Sequence, residues 1–159
     1  MDPIHLDDQH RLIRDQLRRF VAEEVKPHGE KWEEEGMIPR EVLRRFGALG
    51  FLGLRIPERH GGAGLDAIAS VILAEELGRS TFGGFSITVL VHTDMASPHL
   101  YNGGSEAQIE RYGPGLLSGK TVSSIAVTEA EAGSDVQNLR TTARRSGNGW
   151  VLEGGKMFI

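Results

Sequence analysis

The 159 residues carry 18 Lys and Arg against 22 Asp and Glu, a formal net charge of -4, and no cysteine. That length holds one domain with a real core, or one domain and part of another, and the composition is that of an ordinary soluble protein. Lack of cysteine excludes disulfides, thiolate metal sites and cysteine nucleophiles, and the acidic balance argues against a phosphate-backbone partner.

The opening MDPIHLDDQH is acidic and polar, unlike a secretory signal or an Arg-rich transit peptide. No apolar run approaches the roughly 20 residues of a membrane helix, so a cytoplasmic location is expected. From Asp8 to Lys26, the residues Ile13, Leu17, Phe20, Val21 and Val25 recur at helical spacing, and Pro27 ends the element. Glu33, Glu34 and Glu35 read as a solvated acidic turn, because consecutive side chains point different ways and cannot form a carboxylate pair. Pro39 suits the first position of a second helix with a Val42, Leu43, Phe46 and Leu49 stripe that Gly50 stops. FLGLRIP then predicts a short extended segment, and HGGAG a loop.

Asp66 is placed to cap a third helix whose Ile68, Val71, Ile72, Ala74 and Leu77 face the core, ending near Gly78. Phe85 to His99 reads as a deeper helix, with Ile87, Leu90, Val91 and Met95 inward and a bend or end at Pro98. Ser105 and Gln108 make a capping-box pattern for another helix, and Pro114 can begin one more turn. After Lys120 the periodicity changes. Thr121 to Thr128, Leu139 to Arg145, Gly149 to Glu153 and Lys156 to Ile159 all read as strands, joined by SGNG and by Gly154 and Gly155. The fold class is therefore α+β: an all-α domain over residues 1–120, then an incomplete antiparallel β domain over 121–159.

Three patterns imitate sites and fail on context. GAGLDA, from Gly62 to Ala67, fits a relaxed dinucleotide fingerprint, but IPERH interrupts the strand that should precede it, and no acidic residue falls about 20 positions on. Gly119, Lys120 and Thr121 resemble the end of a phosphate loop, yet Pro114 stands where its first glycine belongs. His92 and Asp94, two apart on a helix, point to different faces, so His92 reads as a buried or pocket-lining histidine. The remaining histidines show no ligand spacing, and no metal is expected.

The stretch AVTEAEAGSD, from Ala126 to Asp135, is where a strand empties into a glycine-containing loop. Strand-end amides and the Thr128 hydroxyl can face a flat polar ring there; Gly133 permits close backbone approach and Ser134 adds a donor. Glu129 and Asp135 read as local turn chemistry, with Asp135 capping backbone amides.

AVTEAEAGSD, followed by TTA and GNGWVLEGGKMFI, resembles the middle-domain signature of the flavin-dependent acyl-CoA dehydrogenases. GFLGLRIPERHGGAGLD and AEELGR resemble that family's amino-terminal helical domain, so the similarity runs along nearly the whole chain. Ala130 stands where the family usually has proline. The resemblance implies FAD as cofactor and α,β-desaturation of an acyl-CoA thioester in fatty acid oxidation, with electrons passing to an electron-transfer flavoprotein. It implies that Ile125, Val127 and Thr128 lie along the flavin edge and that Gly133 and Ser134 border the cofactor and the pantetheine arm, Ser134 touching substrate. Phe158 takes the place of a ring-stacking tryptophan, Ile159 lies beside it, and the helix from Phe85 to Leu100 walls the acyl pocket. In the family a flavin-contacting Thr or Ser, the rest of the β domain and a carboxy-terminal helical domain bearing the catalytic glutamate follow the residue matching Ile159. No catalytic residue is therefore expected within this sequence. A homo-oligomer is expected at full length, and a complementing chain if the protein is split. The same fold also serves acyl-CoA oxidases and flavin monooxygenases, and a fragment would act only as a binding or assembly partner.

Overall fold

The computed structural model describes residues 6–159. The chain forms two compact units, a helical one reaching to Ser124 and a smaller one over Ile125–Ile159. In the helical unit, α1 (Asp8–Phe20) is capped by Asp7, whose carboxylate accepts from the His10 N–H at 2.8 Å. It continues into a π turn, Val21–Val25, closed by the Lys26 N–H on the Val21 carbonyl. The expected apolar face is the one buried. The expected acidic turn is instead a helix, α2 (Gly29–Glu35), because Trp32 anchors it in the core and Gly36 ends it with φ 66. Glu33, Glu34 and Glu35 all stay exposed.

Helix α3 (Arg40–Ala48) begins one residue later than the proline pattern implied: Pro39, at ψ 133, stands just outside it. Val42, Leu43 and Phe46 are buried, but Leu49 is 54% exposed, since the helix ends before it and the stripe loses its register. FLGLRIP is not extended. Phe51, Leu52, Leu54 and Ile56 are all buried, which an alternating strand cannot achieve on one face, and 3-10 turns at Phe51–Gly53 and Glu58–His60 fold them inward. The glycine loop returns to them through the Leu65 N–H on the Leu54 carbonyl at 2.8 Å.

Asp66 caps α4 (Ala67–Gly78), accepting from the Ile68 and Ala69 N–H groups at 2.9 and 3.3 Å. The buried face is Ala69, Ile72, Leu73, Glu76 and Leu77, while Val71 and Ala74, expected inside, are exposed. A charged residue belongs to that face: Glu76 is fully buried and receives Arg18 through two hydrogen bonds of 2.7 and 3.1 Å, and Arg79 at 3.2 Å. Reading hydrophobicity alone rotates the helix away from it.

A single helical run follows: α5 (Gly83–Leu90), a π stretch (Val91–Ala96) and α6 (Ser97–Gly103). Phe85, Val89, His92 and Ser97 face the core, whereas Ile87 and Met95 are 57% and 48% exposed. The run does not stop at Pro98; the π widening, with the Ser97 N–H on the His92 carbonyl, precedes the proline and accommodates its missing donor. The capping box opens α7 (Glu106–Leu117), which runs through Pro114 without a new start. At the centre of the unit Phe46 packs against Phe51, Phe20 and Phe85, with ring centroids 4.9, 5.1 and 5.9 Å away.

In the second unit β1 (Thr142–Ser146) pairs antiparallel with β2 (Gly149–Glu153), Arg144 opposite Val151 and Arg145 opposite Trp150, around a turn at Gly147. The first strand starts later than Leu139 because the N–H groups of Arg140 and Thr141 go to the Glu129 carboxylate. Thr121 to Thr128 and Lys156 to Ile159 are not ladder strands. Among the described residues one backbone bond links them, from the Met157 N–H to the Thr128 carbonyl at 2.9 Å, and a ladder needs a series.

Candidate functional site

The loop expected to carry function is built from inside the second unit. Glu129 and Ala132 exchange backbone bonds, the Glu129 N–H to the Ala132 carbonyl at 2.7 Å and the Ala132 N–H to the Glu129 carbonyl at 3.3 Å, which closes the turn. The buried Glu129 carboxylate then reaches beyond it. One oxygen accepts from the Arg140 N–H at 2.6 Å; the other accepts from the Thr141 N–H at 3.0 Å and the Lys156 ammonium at 2.8 Å. Lys156, with further donation from Thr141 and Arg140, holds this carboxyl down to about 2. The expectation of local turn chemistry is corrected at Glu129, whose partners lie 11 to 27 residues away. At Asp135 the chemistry is local, with the Asn138 side chain donating to its carboxylate at 2.5 Å and the Asn138 N–H to its carbonyl at 3.2 Å, but the carboxylate caps no backbone amide among the described residues.

Lys156 also donates to the Val127 carbonyl at 2.9 Å. With the Met157 bond to the Thr128 carbonyl, both carbonyls flanking Thr128 are committed to residues 156–157. The Thr128 N–H and hydroxyl are left without a partner among the described residues. A Cβ built on Gly133 would lie 3.8 Å from the Thr128 Cγ2 and touch nothing else within 4 Å, so open space adjoins the threonine. Ile125, Val127, Thr128 and Gly133 are half-buried and Ser134 is exposed. Phe158 and Ile159 are 92% and 70% exposed, Phe158 with φ 58. The fold thus gathers Val127, Thr128 and Gly133 and reveals Lys156, whose role the sequence reading missed. Its only signal was a lone cation among apolar and glycine residues beyond the hairpin, with an acidic loop upstream.

In the helical unit His92 is buried and fully satisfied. Its Nδ1 accepts from the Ser123 N–H at 3.0 Å, so the proton sits on Nε2, which donates to the Leu116 carbonyl at 3.1 Å. Burial pushes its pKa below the ordinary range, opposed by the Leu116 bond. Asp94 does not orient it: that carboxylate accepts from Ser70 at 2.7 Å and Thr93 at 2.6 Å. Gly62 to Ala67 joins a 3-10 turn to α4, with no strand entering it.

Among the described residues no helix is long and apolar enough to cross a membrane. Residues 7–120 match the family model for the acyl-CoA dehydrogenase N-terminal domain. The chain is 42% identical over 153 residues to the mitochondrial long-chain specific acyl-CoA dehydrogenase of Mus musculus, covering 95% of this chain and 35% of that protein. An acyl-CoA dehydrogenase from Geobacillus kaustophilus superposes with a TM-score of 0.88 at 34% identity, covering 97% of this chain and 40% of that one. Another from Bacillus anthracis, crystallised with FAD, gives 0.86 at 34% identity, covering 98% and 27%. The family-model match, the sequence identity and the structural superposition agree, and the chain belongs to the acyl-CoA dehydrogenase family. It spans about 35% of the length of the mouse enzyme.

Proposed function

We propose that this chain supplies part of the flavin and acyl-CoA site of an FAD-dependent acyl-CoA dehydrogenase, residues 1–120 as its amino-terminal helical domain and 121–159 as the start of its middle β domain. The observation that carries the reading is Thr128: a hydroxyl and an N–H without partners, held beside open space at Gly133. That donor pair fits the polar edge of an isoalloxazine, so the residues present suit the cofactor. Thr128 would donate to the pyrimidine edge, with Ile125 and Val127 alongside. Gly133 and Ser134 would border the cofactor, Ser134 also meeting the pantetheine arm, and Phe158 and Ile159 would lie against the ring.

When bound, FAD supplies acceptance of the β hydride as the α proton leaves the thioester. The residues of this chain bind and orient it, and none is assigned the proton abstraction. The outward face of α5 and the π stretch, with Ile87 and Met95 exposed, offers an apolar wall suited to a fatty or branched acyl chain. An electron-transfer flavoprotein as acceptor and a homo-oligomer belong to the same proposal and are argued from the family resemblance. Thr128→Val tests the reading: FAD affinity is expected to fall up to about tenfold, the value of one hydrogen bond, with a shifted flavin spectrum. Unchanged affinity and spectrum would sink the assignment of that hydroxyl.

A further inference from the structure

We infer that Lys156 and Glu129 form a positioning clasp that sets the backbone of Val127 and Thr128 for the cofactor, an inference that rests on the flavin reading above. Lys156 is 24% exposed at its side chain and bonds two acceptors at once, the Val127 carbonyl at 2.9 Å and Glu129 at 2.8 Å. Glu129 is in turn fixed by the Arg140 and Thr141 N–H groups, immediately before β1. One ion pair thus ties three separated stretches: the loop, the hairpin entrance and the segment after the hairpin. Its ammonium sits on the carbonyl of the peptide whose N–H is that of Thr128. A cation on a carbonyl polarises its peptide, making that N–H a stronger donor. The Met157 bond holds the next carbonyl, so the Thr128 backbone is pinned on both sides and its N–H, opposite the Val127 carbonyl in the trans peptide, is turned away from Lys156. Neither clasp residue needs to touch the flavin; both act through the 127–128 peptide.

The test uses the full-length protein as it is isolated, with FAD removed and added back. Lys156→Met and Glu129→Gln are each expected to weaken FAD binding about tenfold. At saturating FAD they should also displace the visible flavin band and the flavin reduction potential, which a loss of stability alone would not move. Lys156→Arg, which keeps the charge and two donors, should restore the band. The double variant should lose no more than the worse single one, since both break one clasp. Wild-type affinity, band position and potential in Lys156→Met would overturn the clasp while leaving the flavin reading intact. Absence of FAD binding in the wild-type protein would overturn both, and failure of Lys156→Arg to restore the band while it binds FAD would overturn the assigned role of the charge.

Discussion

Replacing His92 with phenylalanine keeps the size of a buried ring and removes every polar contact it makes. In the folded chain the Ser123 N–H loses its acceptor at 3.0 Å, while the Leu116 carbonyl loses the 3.1 Å bond and keeps the Gly119 N–H at 3.2 Å, in a place where the histidine is only 2% exposed. One orphaned buried backbone group costs about 1–3 kcal/mol and the lost bond to Leu116 about 1 kcal/mol, and the phenyl ring recovers part of that through apolar burial, so a net loss of about 2 kcal/mol is expected. For a chain of this size that lowers the melting temperature by roughly 6 °C. The effect has a pH signature. Burial depresses the folded pKa below the ordinary 6.5, so the unfolded chain binds the proton more readily. The contribution is complete above 6.5 and is lost as pH falls through the folded value. Thermal melts of both proteins between pH 8 and 5 should therefore converge toward the acid end, by at most about 1.4 kcal/mol per pH unit. A loss below about 1 kcal/mol at pH 8, or parallel pH profiles, would refute the assigned tautomer and its bonds.

Arg18→Met removes both Arg18 bonds from the buried Glu76 and leaves its Arg79 contact of 3.2 Å, and Arg18 is half exposed, so a loss of about 2–3 kcal/mol is expected in urea titration. Glu76→Gln should cost less, because both guanidiniums can then turn to water; the reverse order would contradict the buried-charge reasoning. Gly47→Ala places a Cβ 2.6 Å from the Ser118 carbonyl carbon and 2.7 Å from the Leu117 oxygen, both backbone, forcing α3 from the end of α7. About 1–3 kcal/mol should be lost by the same assay, and a neutral result would show that the approach is looser. In an acid titration followed by carbon NMR, the Glu129 carboxyl should remain ionised down to about pH 2. Its stabilising contacts are thus present above the ordinary carboxylate range and lost only as pH falls through that value. The midpoint should rise toward the ordinary range in Lys156→Met; an unmoved midpoint would show that the lysine does not set it.

Helix termini were the most legible part of the fold. Asp66, Ser105 with Gln108, and Gly50 announce boundaries through local chemistry, and the structure places them at those boundaries. Faces were less legible. On α4 the inward residue Glu76 is charged, and its burial depends on Arg18, 58 positions away in sequence. Along α5 and the π stretch, Ile87 and Met95 point outward, and hydrophobicity alone does not say which face is buried. Thr121 to Thr128 has the composition of a strand, yet strands are defined by pairing, and pairing is not written in one segment alone. At the candidate site Thr128 and Gly133 were visible as residue types suited to a ligand. Lys156 was not, because its meaning arises only when the hairpin folds it back onto Val127 and Glu129.

The proposal that this chain belongs to a working flavin dehydrogenase is tested most directly by the visible spectrum of the protein purified at its native length, recorded without oxygen before and after an acyl-CoA is added. Bound FAD whose visible band bleaches on addition of a straight-chain or branched acyl-CoA is the expected result. A colourless protein that takes up no FAD, or a bound flavin that no acyl-CoA of either kind reduces, would contradict it.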